Sequence, residues 1–413
     1  VKPPRKIAMN QRHSGARVLI YSHDSFGLGH LRRCRAIAHS LVECYPELSV
    51  LILSGSPIVG SFDYRSHVDF VRIPGVIKLN DGEYTSLALG IELEQTLALR
   101  ESIIYHTAKT FAPDLLLVDK EPGGLKGEVV STLEMLQAKG TPCVLGLRDV
   151  MDDPAALRAE WQRKRVQPIL EQLYDEIWVY GPEGMGSPLD GVGMPASVER
   201  KLVYSGFLRR EVPVARSLPA PVNTEHPFLL VTAGGGGDGA DMVDWVLRTY
   251  EAAAEAGADL PRAVVVLGPF MAPTQQMAFS ERAERLAKVE TLTFDSQLEL
   301  LMREADGVVA MGGYNTFCEI LSLDRPALIV PRTVPRREQL IRAQRASALG
   351  LVRMLDPDQP HDTARMAAAL HSLPRQASPS AHAHPGLLDG LLRINELIAP
   401  YLDKSRHEAL QLA

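Results

Sequence analysis

The sequence predicts an α/β protein built from two doubly wound, Rossmann-like domains. Three observations carry that prediction. Short β-branched and apolar runs alternate with longer helix-period segments along the chain, the cadence of βα units and parallel sheets. Several runs are apolar throughout, as strands covered on both faces require. The cadence stops once, in a proline-rich stretch near the middle, and then restarts. With 413 residues, 46% of them hydrophobic, the chain has material for two cores, as expected beyond roughly 250–300 residues.

In order along the chain, a flexible N-terminus is expected at 1–15 and a first domain at 16–206. Its strands fall at Arg17–Tyr21, Ser49–Leu53, Asp69–Ile73, Asp114–Val118, Cys143–Leu147 and Glu176–Tyr180. Residues 207–226, which include Pro213, Pro219 and Pro221, read as a linker. A second domain follows at 227–385, with strands at Phe228–Ala233, Ala263–Leu267, Val289–Phe294, Gly307–Ala310, Ala327–Val330 and Leu351–Met354. Residues 374–386 read as a surface loop. Residues 386–413 read as a helix, from about Gly386 to Tyr401, and a tail, with a return to the first domain as one route for them.

Charge and cysteine content narrow the function classes. There are 44 basic and 50 acidic side chains, a net charge of −6, so the overall balance gives no electrostatic case for a nucleic-acid partner. Cys34, Cys44, Cys143 and Cys318 form no Cys-x-x-Cys pair and no metal-ligand spacing, so no metal site is expected and the thiols read as reduced, buried residues of a cytoplasmic protein. No signal-peptide pattern and no run of about 18 apolar residues is found.

The chemistry is expected on glycine-rich turns between strands and helices. The first strand runs into Ser22-His23-Asp24-Ser25-Phe26-Gly27-Leu28-Gly29-His30, followed by a helix with an apolar stripe at Leu31, Cys34, Ile37, Ala38, Leu41 and Tyr45. Such a turn lets backbone amides approach an anion at a helix N-terminus. It lacks the third glycine of the dinucleotide fingerprint, which excludes a nicotinamide site here. His30, beside the strand ends, is the candidate general base, with Asp24 and His23 as reserves. Arg32, Arg33 and Arg35 read either as a solvated helix face or as contacts to an acidic substrate.

The second domain opens with Gly234-Gly235-Gly236-Gly237, whose amides suit phosphate or sugar contact. More specific is Met311-Gly312-Gly313-Tyr314-Asn315-Thr316-Phe317-Cys318-Glu319, a Gly-Gly turn between a strand and a helix. Its amides and hydroxyls point to a diphosphate, and Glu319 to vicinal ribose hydroxyls. Thr316 and Glu319 also fit a simple capping box. Glu338 and Gln339, opening the next helix, either bind sugar hydroxyls or solvate that helix.

The run from Met311 to Glu319, with Arg325–Pro331 and Arg337-Glu338-Gln339, resembles the donor-site signature of GT-B glycosyltransferases of family 28. That family's best-known member adds N-acetylglucosamine to the lipid intermediate of peptidoglycan synthesis. The resemblance implies two Rossmann-like domains facing each other across a cleft. Glu319 matches the ribose carboxylate, Glu338 and Gln339 the sugar-binding pair, and Gly234–Gly237 the loop facing the diphosphate. Gly27 and Gly29 match the acceptor-side loop. Phe26 and Leu28 interrupt the family's glycines there, and Gly27–Cys34 is similar to a related nucleotide-sugar hydrolase of pseudaminic acid synthesis. Asp119, Lys120, Glu121, Arg148 and Asp149, all just after expected strands, fit acceptor contacts as well as ordinary surface loops.

The expected activity is inverting, metal-independent hexosyl transfer from a nucleotide sugar, UDP-linked, to a hydroxyl of a cell-envelope, polysaccharide or lipid-linked acceptor. The donor is a substrate and no cofactor is implied. The expected place of work is the cytoplasm, with peripheral contact to the inner face of the cell membrane. Hydrolysis or epimerisation of a nucleotide sugar, catalytically silent binding of one, and glycine turns that serve packing alone are the competing readings.

Overall fold

The computed structural model describes residues 15–23, 29–78, 84–211 and 222–402. Among them, fifteen strands form three sheets. Those in the first half are β1 (Arg17–Ser22), β2 (Ser49–Ser54), β3 (Val68–Arg72), β4 (Val76–Lys78), β5 (Tyr84–Ser86), β6 (Leu115–Asp119), β7 (Cys143–Arg148), β8 (Glu176–Tyr180) and β9 (Leu202–Tyr204). Seven of them form one sheet in the order β3-β2-β1-β6-β7-β8-β9, while β4 and β5 pair antiparallel by themselves. In the second half, β10 (Leu229–Thr232), β11 (Ala263–Val266), β12 (Val289–Leu292), β13 (Gly307–Ala310), β14 (Ala327–Ile329) and β15 (Arg353–Met354) form a sheet ordered β12-β11-β10-β13-β14-β15.

The fold class is the one the sequence predicts, mixed α/β with two Rossmann-like bodies. All twelve expected strands occur, with ends shifted by at most two residues. They were legible because strands such as β6 and β10 are buried at every position. The hairpin β4–β5 and strand β9 escaped the reading, since three-residue strands are too short to show a period.

By contacts, the chain divides into two compact units. One comprises the described parts of 1–146, 166–177 and 392–413, the other 147–165 and the described parts of 178–391. In the first unit, β1 pairs in parallel with β2 and β6, aligning Tyr21 with Leu53 and Val118. The C-terminal helix, Gly390–Leu402, is fixed in this unit through Asn395. Its carbonyl accepts from the Tyr45 hydroxyl at 2.6 Å, and its side chain exchanges hydrogen bonds with Ser40. In the second unit, β10 pairs in parallel with β11 and β13. Its core is built on Trp245, Val243 and Val246 of helix Ala240–Ala256 against Leu229, Val231 and Val265.

One expected boundary needs correction. Phe207 and Leu208, assigned to a linker, are fully buried. The Phe207 ring packs on those of Phe317 and Tyr314, with centroids 5.2 and 6.2 Å away, and its backbone N–H donates to Leu387 O at 2.8 Å. Apolar side chains at this position belong to the core of the second unit rather than to a solvated connector. The N-terminal segment 1–14, linker residues 212–221 and the tail from 403 onward lie outside the described residues.

Candidate active site

In an open α/β sheet, ligands bind at the carboxyl ends of strands where the order reverses direction. In the first sheet that point lies between β1 and β6. His23 follows β1, Asp119 ends β6, and His30 is the second residue of helix Gly29–Cys44. The topology therefore brings together residues 89 positions apart: His30 Nδ1 lies 2.5 Å from Asp119 Oδ2. Arg33, one helical turn after His30, closes on the same carboxylate, with Nε at 2.8 Å from Oδ1 and Nη2 at 2.6 Å from Oδ2.

The Asp119 side chain is 1% exposed; burial alone would raise its pKa, but Arg33 and His30 outweigh that and hold it below the usual carboxylate range. Asp119 Oδ2 lies 2.5 Å and Arg33 Nη2 2.9 Å from His30 Nδ1; in the tautomer whose Nδ1–H donates to the ionised carboxylate, Nε2 keeps its lone pair. Burial, reinforced by Arg33 and Lys120 and opposed by Asp119, pulls the His30 pKa down to about 4. The ring is thus neutral near pH 7, oriented, and equipped to accept a proton. His23 stands edge-on to it, with centroids 5.8 Å apart, and is held neutral by burial and by Lys120.

The loop after Asp119 is pinned from beneath. Arg100 grips Glu128 through two 2.6 Å hydrogen bonds, and the Tyr21 hydroxyl donates to Glu128 Oε1 at 2.6 Å. The Leu125 N–H in turn donates to the Tyr21 hydroxyl at 3.3 Å. Lys120 adopts φ +71° and Gly124 φ +68°, and a Cβ on Gly124 would sit 2.5 Å from Val129 Cγ2. Glycine is required there, while Lys120 accepts a conformation that non-glycine residues seldom adopt.

The second sheet repeats the arrangement. Its reversal lies between β10 and β13, and the two glycine turns follow those two strands. In the first, Gly236 adopts φ +90° and a Cβ on it would lie 2.5 Å from Leu267 O. Part of the glycine content therefore answers to the close approach of the 267–268 backbone, whereas Gly234 and Gly237 face open space. In the second, Gly312 adopts φ +81° and Gly313 caps helix Tyr314–Ser322 without a side-chain cap bond. Thr316 is the third helical residue rather than the cap, so the capping-box reading of Thr316 and Glu319 fails. Helix geometry directs the first-turn amides of Tyr314, Asn315 and Thr316 out of this end.

Around this turn gather polar side chains of helix Glu338–Ala348. Glu338 and Gln339 are buried at 4% and 6% exposure, which excludes a solvating role. Arg332 Nη2 donates to Glu338 Oε1 at 3.0 Å, and the Arg332 N–H donates to Gln339 Oε1 at 3.2 Å. Glu338 Oε2 is buried without a hydrogen-bond partner. Arg332 also lies 2.9 Å from Asp238, tying the four-glycine loop to Glu338. Gln339 faces Gly313, with Nε2 4.0 Å from the place a Cβ would occupy. Glu319 is buried within helix Tyr314–Ser322, and Asn315 Oδ1 accepts from Arg210 at 2.6 Å.

Three expected acceptor contacts are reassigned. Asp119 and Arg33 are committed to His30 and to each other, so neither is a free charge for an acceptor. Asp149 is fully buried, its carboxylate occupied by Arg342. Lys120 and Glu121 lie 3.7 Å apart in the loop beyond Asp119, with Glu121 buried. Arg32 is half-buried on the first helix, Gly29 is that helix's first residue, and Arg148 ends β7. Asp24 and Gly27 lie outside the described residues. Nothing in the sequence alone singles out Arg332 or Arg342. Their arginine-rich surroundings gave only a weak signal, since partners in another segment decide their role.

Residues 229–377, which span the second sheet and both glycine turns, match the glycosyltransferase family 28 C-terminal domain. That match lies in the second half of the chain and supports a family 28-like assignment. The resemblance drawn from Met311–Glu319 and Glu338–Gln339 holds, and with it the assignment as a family 28-like glycosyltransferase. Among solved structures, the chain is similar to MurG of Acinetobacter baumannii at 13% identity, with 93% of this chain and 99% of that one covered and a TM-score of 0.59. It is similar to a UDP-glucosyltransferase of Polygonum tinctorium at 14% identity, with 94% and 98% covered and a TM-score of 0.61. The glycotransferase of kitacinnamycin gives 16% identity, 96% and 98% coverage and a TM-score of 0.58. At such identities the likeness shows a shared GT-B fold. No curated protein matches the sequence.

Proposed function

We propose that this family 28-like protein is an inverting, metal-independent glycosyltransferase that moves a hexosyl group from a UDP-linked donor to an acceptor hydroxyl. The observation that carries the reading is the His30–Asp119 pair, an imidazole whose Nδ1 lies 2.5 Å from a buried carboxylate. Such an imidazole removes the proton from an acceptor hydroxyl as it attacks the anomeric carbon. As the bond to the diphosphate breaks, negative charge grows on the leaving oxygens. Amides of the Gly312–Gly313 turn, the N-terminus of helix Tyr314–Ser322 and the Gly234–Gly237 loop stabilise it. Glu319 takes the ribose hydroxyls, while Glu338 and Gln339 take those of the sugar. Asp119 changes role, from acceptor contact to the group that orients the base, and Arg33 keeps it ionised. Asp24 and His23 become secondary to it.

The acceptor, in this reading, is a cell-envelope, polysaccharide or lipid-linked glycan reached from the cytoplasmic face of the membrane. No described helix is long and apolar enough to cross a bilayer. The UDP-glucosyltransferase of Polygonum tinctorium, which shares the fold, supports a nucleotide-sugar donor. The test is product analysis with UDP-sugars and candidate acceptors, resolving the anomeric configuration of the product. Inverted product that disappears in His30→Ala supports the proposal. Stoichiometric free sugar, formed equally fast with and without acceptor, would assign the site to hydrolysis instead.

A further inference from the structure

A buried ion pair stands directly behind the Gly-Gly turn. Arg342 and Asp149 are both 0% exposed, and the guanidinium forks onto the carboxylate through Nη2 at 2.6 Å and Nε at 2.8 Å. Its remaining terminal nitrogen, Nη1, donates to the carbonyl oxygen of Gly312 at 3.1 Å. The guanidinium carbon also lies 5.6 Å from the centroid of the Tyr314 ring. Asp149 is itself fixed by close packing, since a Cβ on Gly181 would stand 2.7 Å from its own Cβ. One guanidinium thus joins three groups that flank the start of helix Tyr314–Ser322.

We infer that Arg342, held by Asp149, is a positioning residue for the diphosphate subsite. The role rests on the reading above that this turn receives the donor diphosphate. Gly312 sits at φ +81°, a conformation glycine reaches as readily as its mirror image, so its own backbone preference does not fix the peptide orientation. Its carbonyl, pulled onto Arg342, turns the following amide the opposite way, toward the mouth of the helix. The pair contributes little net charge to the site, because Asp149 neutralises Arg342 at hydrogen-bond range. What it supplies is a fixed peptide plane, so the amides need no reorganisation when the anion arrives. The part of the donor that feels the pair is the diphosphate; the nucleoside is held by other groups.

Two variants of the full chain separate this from a purely structural role. Replacing a buried ion pair by apolar side chains of similar size is often neutral for stability, so Asp149→Leu/Arg342→Met removes the clamp while sparing the fold. Arg342→Lys keeps the charge opposite Asp149 but cannot reach Gly312 O at the same time. Titration calorimetry with UDP and with uridine is the readout, beside the melting curve. In both variants the expected result is UDP affinity weakened about tenfold or more, the usual scale for a hydrogen bond from a charged donor, with uridine affinity unchanged. KM for the donor should rise more than kcat falls. Variants that fold and bind UDP like the wild type, or that lose UDP and uridine equally, overturn the inference. A wild-type chain that binds no UDP removes the function reading itself, and this inference with it.

Discussion

Neutrality at physiological pH is the property His30 needs as a base, and burial provides it by pulling the pKa to about 4. The sign of the pH dependence follows. The base works while unprotonated, so kcat/KM should hold as pH falls through 6.5 and decline only near 4. A pH–rate profile with its acid limb at 6.5 would contradict this. Arg33 opposes protonation of the ring, so Arg33→Met should move the limb upward. His30→Ala should lower kcat by about 10²–10⁴-fold with donor affinity preserved. Asp119→Asn should lower kcat as well, because an amide can donate to Nδ1 and favour the wrong tautomer. Loss of donor binding in His30→Ala, measured by calorimetry, would place this residue in the donor site or in folding instead.

Elements carry the next set of expectations. The buried Arg100–Glu128–Tyr21 network holds the loop that follows β6. Arg100→Met leaves the Glu128 carboxylate buried and uncompensated, at a cost of about 3–5 kcal/mol. Chemical denaturation measures this, and a loss below about 1 kcal/mol would deny the network its role. In the second sheet, Gly236→Ala forces a Cβ to within 2.5 Å of Leu267 O at φ +90°. Displacement of the four-glycine loop should weaken UDP binding, whereas an unchanged Kd would leave those glycines to packing alone.

How far the sequence disclosed these features depends on separation along the chain. Strands covered on both faces are continuous apolar runs, and the glycine turns and His30 lie within single βα units, so each was readable locally. Arg33 with Asp119, 86 residues apart, and Arg342 with Asp149, 193 apart, are created by topology. In the sequence Arg33 stands among Arg32 and Arg35 as one of several helix-face arginines, with nothing local to mark it as buried. At Phe207 and Leu208 the proline-rich stretch that follows masks two core side chains.

On the scale of the whole molecule, each Rossmann-like body offers one reversal point. The first bears the proposed base, and the second bears a turn whose amides suit a diphosphate. Division of labour of that kind fits transfer between two substrates better than chemistry on one. The most direct measurement is amide hydrogen exchange on the intact chain, with and without UDP. Protection at 312–316 and 234–238, with residues 29–33 unaffected, is the predicted result. UDP that binds without slowing exchange at 312–316, or that protects residues 29–33 instead, would contradict the account.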